Sequence, residues 1–114
     1  MSAILATIIT LRSMTPATAL IDYAAEAMGQ NPAYAQCIAY HESRYDPNAV
    51  GALGEAGLFQ LHPDTHPWVA AKWGLEEYDA FDPATNTMMA MWLLKEGYHE
   101  WFSTHGLCQH HLEG

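Results

Sequence analysis

His41-Glu42-Ser43-Arg44-Tyr45-Asp46-Pro47-Asn48-Ala49-Val50-Gly51, followed shortly by Gly54-Glu55-Ala56-Gly57-Leu58-Phe59-Gln60, is the stretch on which the reading of this chain turns. Upstream, Asn31-Pro32 pairs a capping side chain with a proline suited to a first helical turn. Ala35, Ile38, Ala39 and Glu42 then recur three or four residues apart. A carboxylate therefore ends an apolar helix face, Asp46-Pro47 stops the helix, and residues 48–57 form a glycine-punctuated loop or small hairpin. This layout sets one acid at the edge of a groove.

The same punctuation extends outward in both directions. Residues 1–12 read as a first buried helix, too short in its apolar run to span a bilayer and without the basic start of a secretory signal. Thr15-Pro16 predicts a second helix carrying Ala19, Leu20, Tyr23, Ala24 and Ala27 to a stop at Gly29. Thr65-His66-Pro67 begins a short helix to Gly74, and Asp82-Pro83 opens a longer one through Met88, Met91, Trp92 and Lys95. Tyr98 to Thr104 is expected to make a last short helix before Gly106. No alternating strand pattern persists long enough to build a sheet. The expectation is one mainly α domain over residues 1–114, with a loop or β-hairpin region after the third helix.

Composition narrows the chemistry. Half of the 114 residues are hydrophobic and 15% are charged, which suits a folded chain with a modest core. A net charge of −9 with four Lys and Arg argues against nucleic acid or an anionic membrane as partner. Cys37 and Cys108 either bridge, tying the tail to the third helix, or stay as two buried thiols. His62 and His66 are four apart and His41 precedes Glu42, but Pro63 and Pro67 interrupt the pair and no His-Glu-x-x-His is present. No metal or other cofactor is expected. There is no Gly-x-Ser-x-Gly elbow and no phosphate loop. The Met88-Met89-Met91 cluster suits the core, and His110-His111 a solvated tail.

Glu42-Ser43, Pro47 with Ala49-Val50, Gly54, Gly57-Leu58-Phe59-Gln60 and Asp82-Pro83-x-x-Asn86 together resemble the signature of goose-type lysozymes and soluble lytic transglycosylases, over residues 33–101. The resemblance implies a lysozyme-like helical fold and cleavage of the β-1,4 bond between N-acetylmuramic acid and N-acetylglucosamine. It implies Glu42 as the catalytic acid, Ser43 as its helper, and Gln60 and Asn86 near the bound sugar. The Ala-Tyr-Asn-Ala-Gly segment of soluble lytic transglycosylases is absent. Gly97-Tyr98-His99-Glu100-Trp101-Phe102 stands there instead, as in small phage lysozyme-like domains, and Tyr98 is a stand-in for the missing tyrosine.

A glycosidic bond breaks when an acid protonates the leaving oxygen. The apolar face and the helix C-terminus both favour a neutral Glu42 carboxyl, while Arg44, if it reaches back, opposes this. Hydrolysis with inversion also needs a base about 6.5–9.5 Å from the acid. Glu55 is the first candidate, with Asp64 and Asp46 behind it. Attack by the substrate's own 6-hydroxyl needs no such base. His66 and Trp68, with Trp73 beside them, are groove candidates for the acetamido sugars of peptidoglycan or chitin. A monomer acting on the cell wall is expected, in the periplasm, outside the cell or within a phage particle. The alternative from another class is an inactive lysozyme-like module that binds glycan or builds a phage tail.

Overall fold

Two Asx-Pro steps organise the helices. In the computed structural model, which describes residues 2–113, Asn31 accepts from the Tyr34 N–H at 3.0 Å and starts α3, Pro32–Ser43. Asp82 accepts from the Thr85 N–H at 3.0 Å and starts α5, Pro83–Lys95. Before them lie α1, Ser2–Leu11, and α2, Ala17–Ala27; α4 is Thr65–Trp73. The chain closes with a 3₁₀ turn at His99–Trp101, α6 at His105–Cys108 and a second 3₁₀ turn at Gln109–Leu112.

α5 is the central post. Ala84 through Met91, with Leu93 and Leu94, are buried, so this helix is enclosed nearly all round. α1 and α2 pack on it, and α3 lies against α2. Leu58, Phe59 and Leu61 drop from the glycine loop into the same core, beside Tyr34, Ile38, Val69 and Met88. The loop itself holds only two isolated antiparallel bridges, Val50 with Ala56 and Ala56 with Leu61. The fold is mainly helical, as the sequence implies. No helix among the described residues is long and apolar enough to cross a membrane.

Several expectations need correction. Residue 1 lies outside the described residues, and α1 buries only one side, through Ile8 and Leu11, while Ile9 is 66% exposed. Thr15 does not cap α2: Pro16 itself occupies the boundary, with no side-chain cap. The inward stripe of α2 is Leu20, Ile21, Ala24 and Ala25, which leaves Tyr23 outside. α3 ends at Ser43, four residues before Pro47, and Arg44 and Tyr45 then turn left-handed with φ of 55° and 63°. Residues 98–104 form no continuous helix, because Phe102 is extended and Gly106 lies inside α6.

The cysteines settle as a Cys37–Cys108 disulfide, 71 residues apart in sequence, and Asn31 Nδ2 donates to the His111 carbonyl. The tail is therefore docked on α3 and not free. Closing a loop of this length restricts the unfolded chain by about 4 kcal/mol. Cys37→Ser with Cys108→Ser should lower unfolding stability by about 2–4 kcal/mol in a urea titration. A double variant with the wild-type midpoint would show that the bridge is dispensable.

Candidate active site

Glu42 sits in the last turn of α3, one turn beyond the buried Ile38 and Ala39, and is half-buried. Its Oε2 accepts from Thr104 Oγ1 at 2.9 Å, Ser103 Oγ at 3.1 Å and the Thr104 N–H at 3.3 Å. Oε1 receives only a 3.4 Å contact from Ser103. One oxygen is thus fixed by the segment entering α6 and the other is comparatively free. Arg44 does not reach back: its guanidinium lies over the Tyr40 ring, 4.5 Å from the centroid, and donates to the Tyr40 hydroxyl.

A cavity of about 130 Å³ opens at this carboxylate. Glu55, Gln60, His62 and Thr65 line it together with Trp101, Phe102 and Ser103. Glu42, Glu55 and Gln60 therefore meet, as the glycine loop suggested. Gly51 makes this convergence possible, because a Cβ there would collide with Glu55 Oε1 and lie 2.6 Å from Gln60 Oε1. Gln60 adopts φ 50°, a left-handed conformation uncommon for a non-glycine residue. Its Nε2 donates to the Ala49 and Gly57 carbonyls, both at 3.0 Å, which holds it there.

Glu55 Oε1 accepts from the Leu53 N–H at 2.8 Å. Its own backbone N–H first, then that of Leu53, with a smaller contribution from His62, hold the carboxyl below its ordinary value of 4.5. A depressed folded value stabilises the protein above the unfolded value, and that stabilisation is lost as pH falls through the folded one. Glu55→Gln should therefore melt below wild type at neutral pH, with the gap closing on acidification to well below 4.5. A gap that stayed constant with pH in thermal melts would remove this role from Glu55.

The other sequence candidates fall elsewhere. Ser43 is buried and donates to the Ala39 and Leu58 carbonyls at 3.1 and 2.7 Å, so it ties the helix end to the loop without lining the cavity. Asn86 is fully buried under the loop. His66 bonds the Tyr78 hydroxyl at 2.7 Å, and burial pushes its imidazole below the usual range. Trp68 and Tyr98 stand behind Trp101, at ring separations of 5.6 and 4.2 Å. They support the cavity wall, while Trp101 is its exposed face, at 53%. Of the two further acids weighed as bases, neither Asp46 nor Asp64 lines the cavity.

Sequence reasoning missed Trp101, and it missed Ser103 and Thr104, since ordinary hydroxyls 61 and 62 positions away carry no signal. The three histidines of the metal reading do not meet. His62 accepts from the Asp64 N–H at 3.0 Å, and His66 is engaged with Tyr78. Among the described residues, potential metal-binding side chains converge only at Cys37, His41 and Cys108, where both sulfurs are spent in the disulfide.

Comparison with curated proteins and with solved structures gives no match. The profile of the family described as "Transglycosylase SLT domain" matches residues 19–108, which covers the loop, the cavity and the disulfide. With Glu42 at the helix end and Gly57-Leu58-Phe59-Gln60 beside it, the chain belongs to the transglycosylase SLT domain family, whose members act on peptidoglycan.

Proposed function

We propose that this domain cleaves the β-1,4 bond from N-acetylmuramic acid to N-acetylglucosamine as a lytic transglycosylase, with Glu42 as its acid and base. The observation that carries the reading is Glu42 in the lining of a cavity shared with Glu55, Gln60 and Trp101. Protonated Glu42 gives its proton to the leaving glucosamine O4 as the bond to muramic C1 breaks. The muramic 6-hydroxyl then attacks C1 and returns its proton to Glu42, which closes a 1,6-anhydro ring and restores the acid. No water is consumed. Glu55, ionised near neutrality, faces the positive charge that develops at C1.

The hydrogen bonds from Ser103 and Thr104 fix one Glu42 oxygen, so the carboxyl is oriented before substrate arrives. Trp101 offers a flat face for a sugar ring, stiffened from behind by Tyr98 and Trp68. Mass spectrometry of soluble products from purified peptidoglycan tests this reading. It expects 1,6-anhydro-muramic ends. Reducing ends would replace it with hydrolysis and make Glu55 the base, and an absence of products would replace it with a glycan-binding module.

A further inference from the structure

We propose that, before its disulfide forms, the chain binds a single zinc ion through Cys37, His41 and Cys108. The three side chains each direct one ligand atom into a common space, with all of these atoms within 4.8 Å of one another. Cys37 and His41 are four apart on α3 and so share a helix face, while Cys108 comes from α6 across the interface. The Cα atoms of the two cysteines are 5.7 Å apart. Zinc–sulfur bonds of about 2.3 Å at a tetrahedral angle need the sulfurs about 3.8 Å apart, a separation that side-chain rotation supplies once the bridge opens.

Burial grades across the site in the sense a metal requires. Cys108 is fully buried, Cys37 half-buried and His41 exposed. Zinc held by these three keeps one outward position for water, and the set of two thiolates and one imidazole is a known zinc donor set. The ion would do the work of the bridge, pinning α6 to α3, while the chain is still in the reducing compartment where proteins are made. That contact matters because Ser103 and Thr104, which fix Glu42, lead directly into α6.

The chemistry balances with a named reductant. A trialkylphosphine and water convert the disulfide into two thiols and the phosphine oxide. Zinc then displaces one proton from each thiol and takes the neutral imidazole of His41. A small-molecule disulfide reverses the exchange: it takes two electrons from the two thiolates and leaves as two thiols, with two protons from water, as the Cys37–Cys108 bond re-forms and the metal is released.

The test titrates phosphine-reduced protein with cobalt(II), then displaces the cobalt with zinc. Reduced wild type should take up one metal per chain, show a thiolate-to-cobalt charge-transfer band, and melt at a higher temperature with zinc than without. Oxidised wild type should show none of these. His41→Ala, which folds through its disulfide when oxidised, should bind at least about 10–100-fold more weakly once reduced. The proposal is overturned if reduced wild type binds no metal, if the oxidised form binds equally, or if reduced His41→Ala retains wild-type affinity. Should the reduced chain unfold without metal, zinc-driven recovery of helical circular dichroism supports the site and failure to recover rejects it.

Discussion

Glu42→Gln is expected to lower turnover on purified peptidoglycan by about 10²–10⁴-fold or more while leaving the fold intact. The amide has no proton to give at O4 and cannot take one from the 6-hydroxyl, so both halves of the reaction fail together. Its carbonyl oxygen still accepts from Thr104 Oγ1 and Ser103 Oγ, so the link between α3 and the segment entering α6 survives. Stability should move by about 1 kcal/mol, since bonds to a charged oxygen become bonds to a neutral one in the same geometry. Thermal melts and product release, measured on the same preparation, separate the two effects. Wild-type turnover in the variant would remove Glu42 from the chemistry. Glycan binding by both proteins, with no product from either, would instead favour a domain that holds the wall without cutting it.

How far the sequence discloses all this depends on the range of the interactions involved. Asn31-Pro32 and Asp82-Pro83 were legible because a cap acts within three residues, and both helices start where those signals lie. Glu42 was legible as the end of an apolar face, since helical periodicity extends to it from Ile38 and Ala39. Thr15 misled because the helix begins one residue later than its hydroxyl can serve. Gly106 misled because the C-terminal segment obeys partners far away in sequence: the Cys37–Cys108 bridge and the Glu42 carboxylate. Such contacts override local propensity. The aromatic wall shows the same division. Gly97-Tyr98-His99-Glu100-Trp101-Phe102 pointed to Tyr98, but it is Trp101, with Tyr98 and Trp68 packed against it, that lines the cavity.

Asn86→Ala is expected to be the most damaging single change to the fold. The side chain is fully buried and uses both amide protons and its oxygen: Oδ1 accepts from the Phe59 N–H at 2.9 Å, and Nδ2 donates to the Ala56 and Ala80 carbonyls at 2.8 and 2.9 Å. Alanine strands one backbone donor and two acceptors away from water, each costing about 1–3 kcal/mol. Allowing for relaxation, the loss is about 3–6 kcal/mol, a large part of the 5–15 kcal/mol typical of a domain. The melting temperature should fall by more than about 10 °C. The resemblance places this asparagine near the sugar, and the packing supplies a different route to the same place. Gly57, at φ 75°, has no room for a Cβ, which would lie 2.6 Å from Asn86 Nδ2. The asparagine thus sets the course of Gly57-Leu58-Phe59-Gln60 from below, and with it the position of Gln60 in the cavity wall. Activity should then fall in step with loop order even at temperatures where the rest of the chain stays folded. Amide exchange checks this: protection at Phe59 should collapse before protection in α5. Uniform loss across both would mean that Asn86 serves the core as a whole and has no particular hold on the loop.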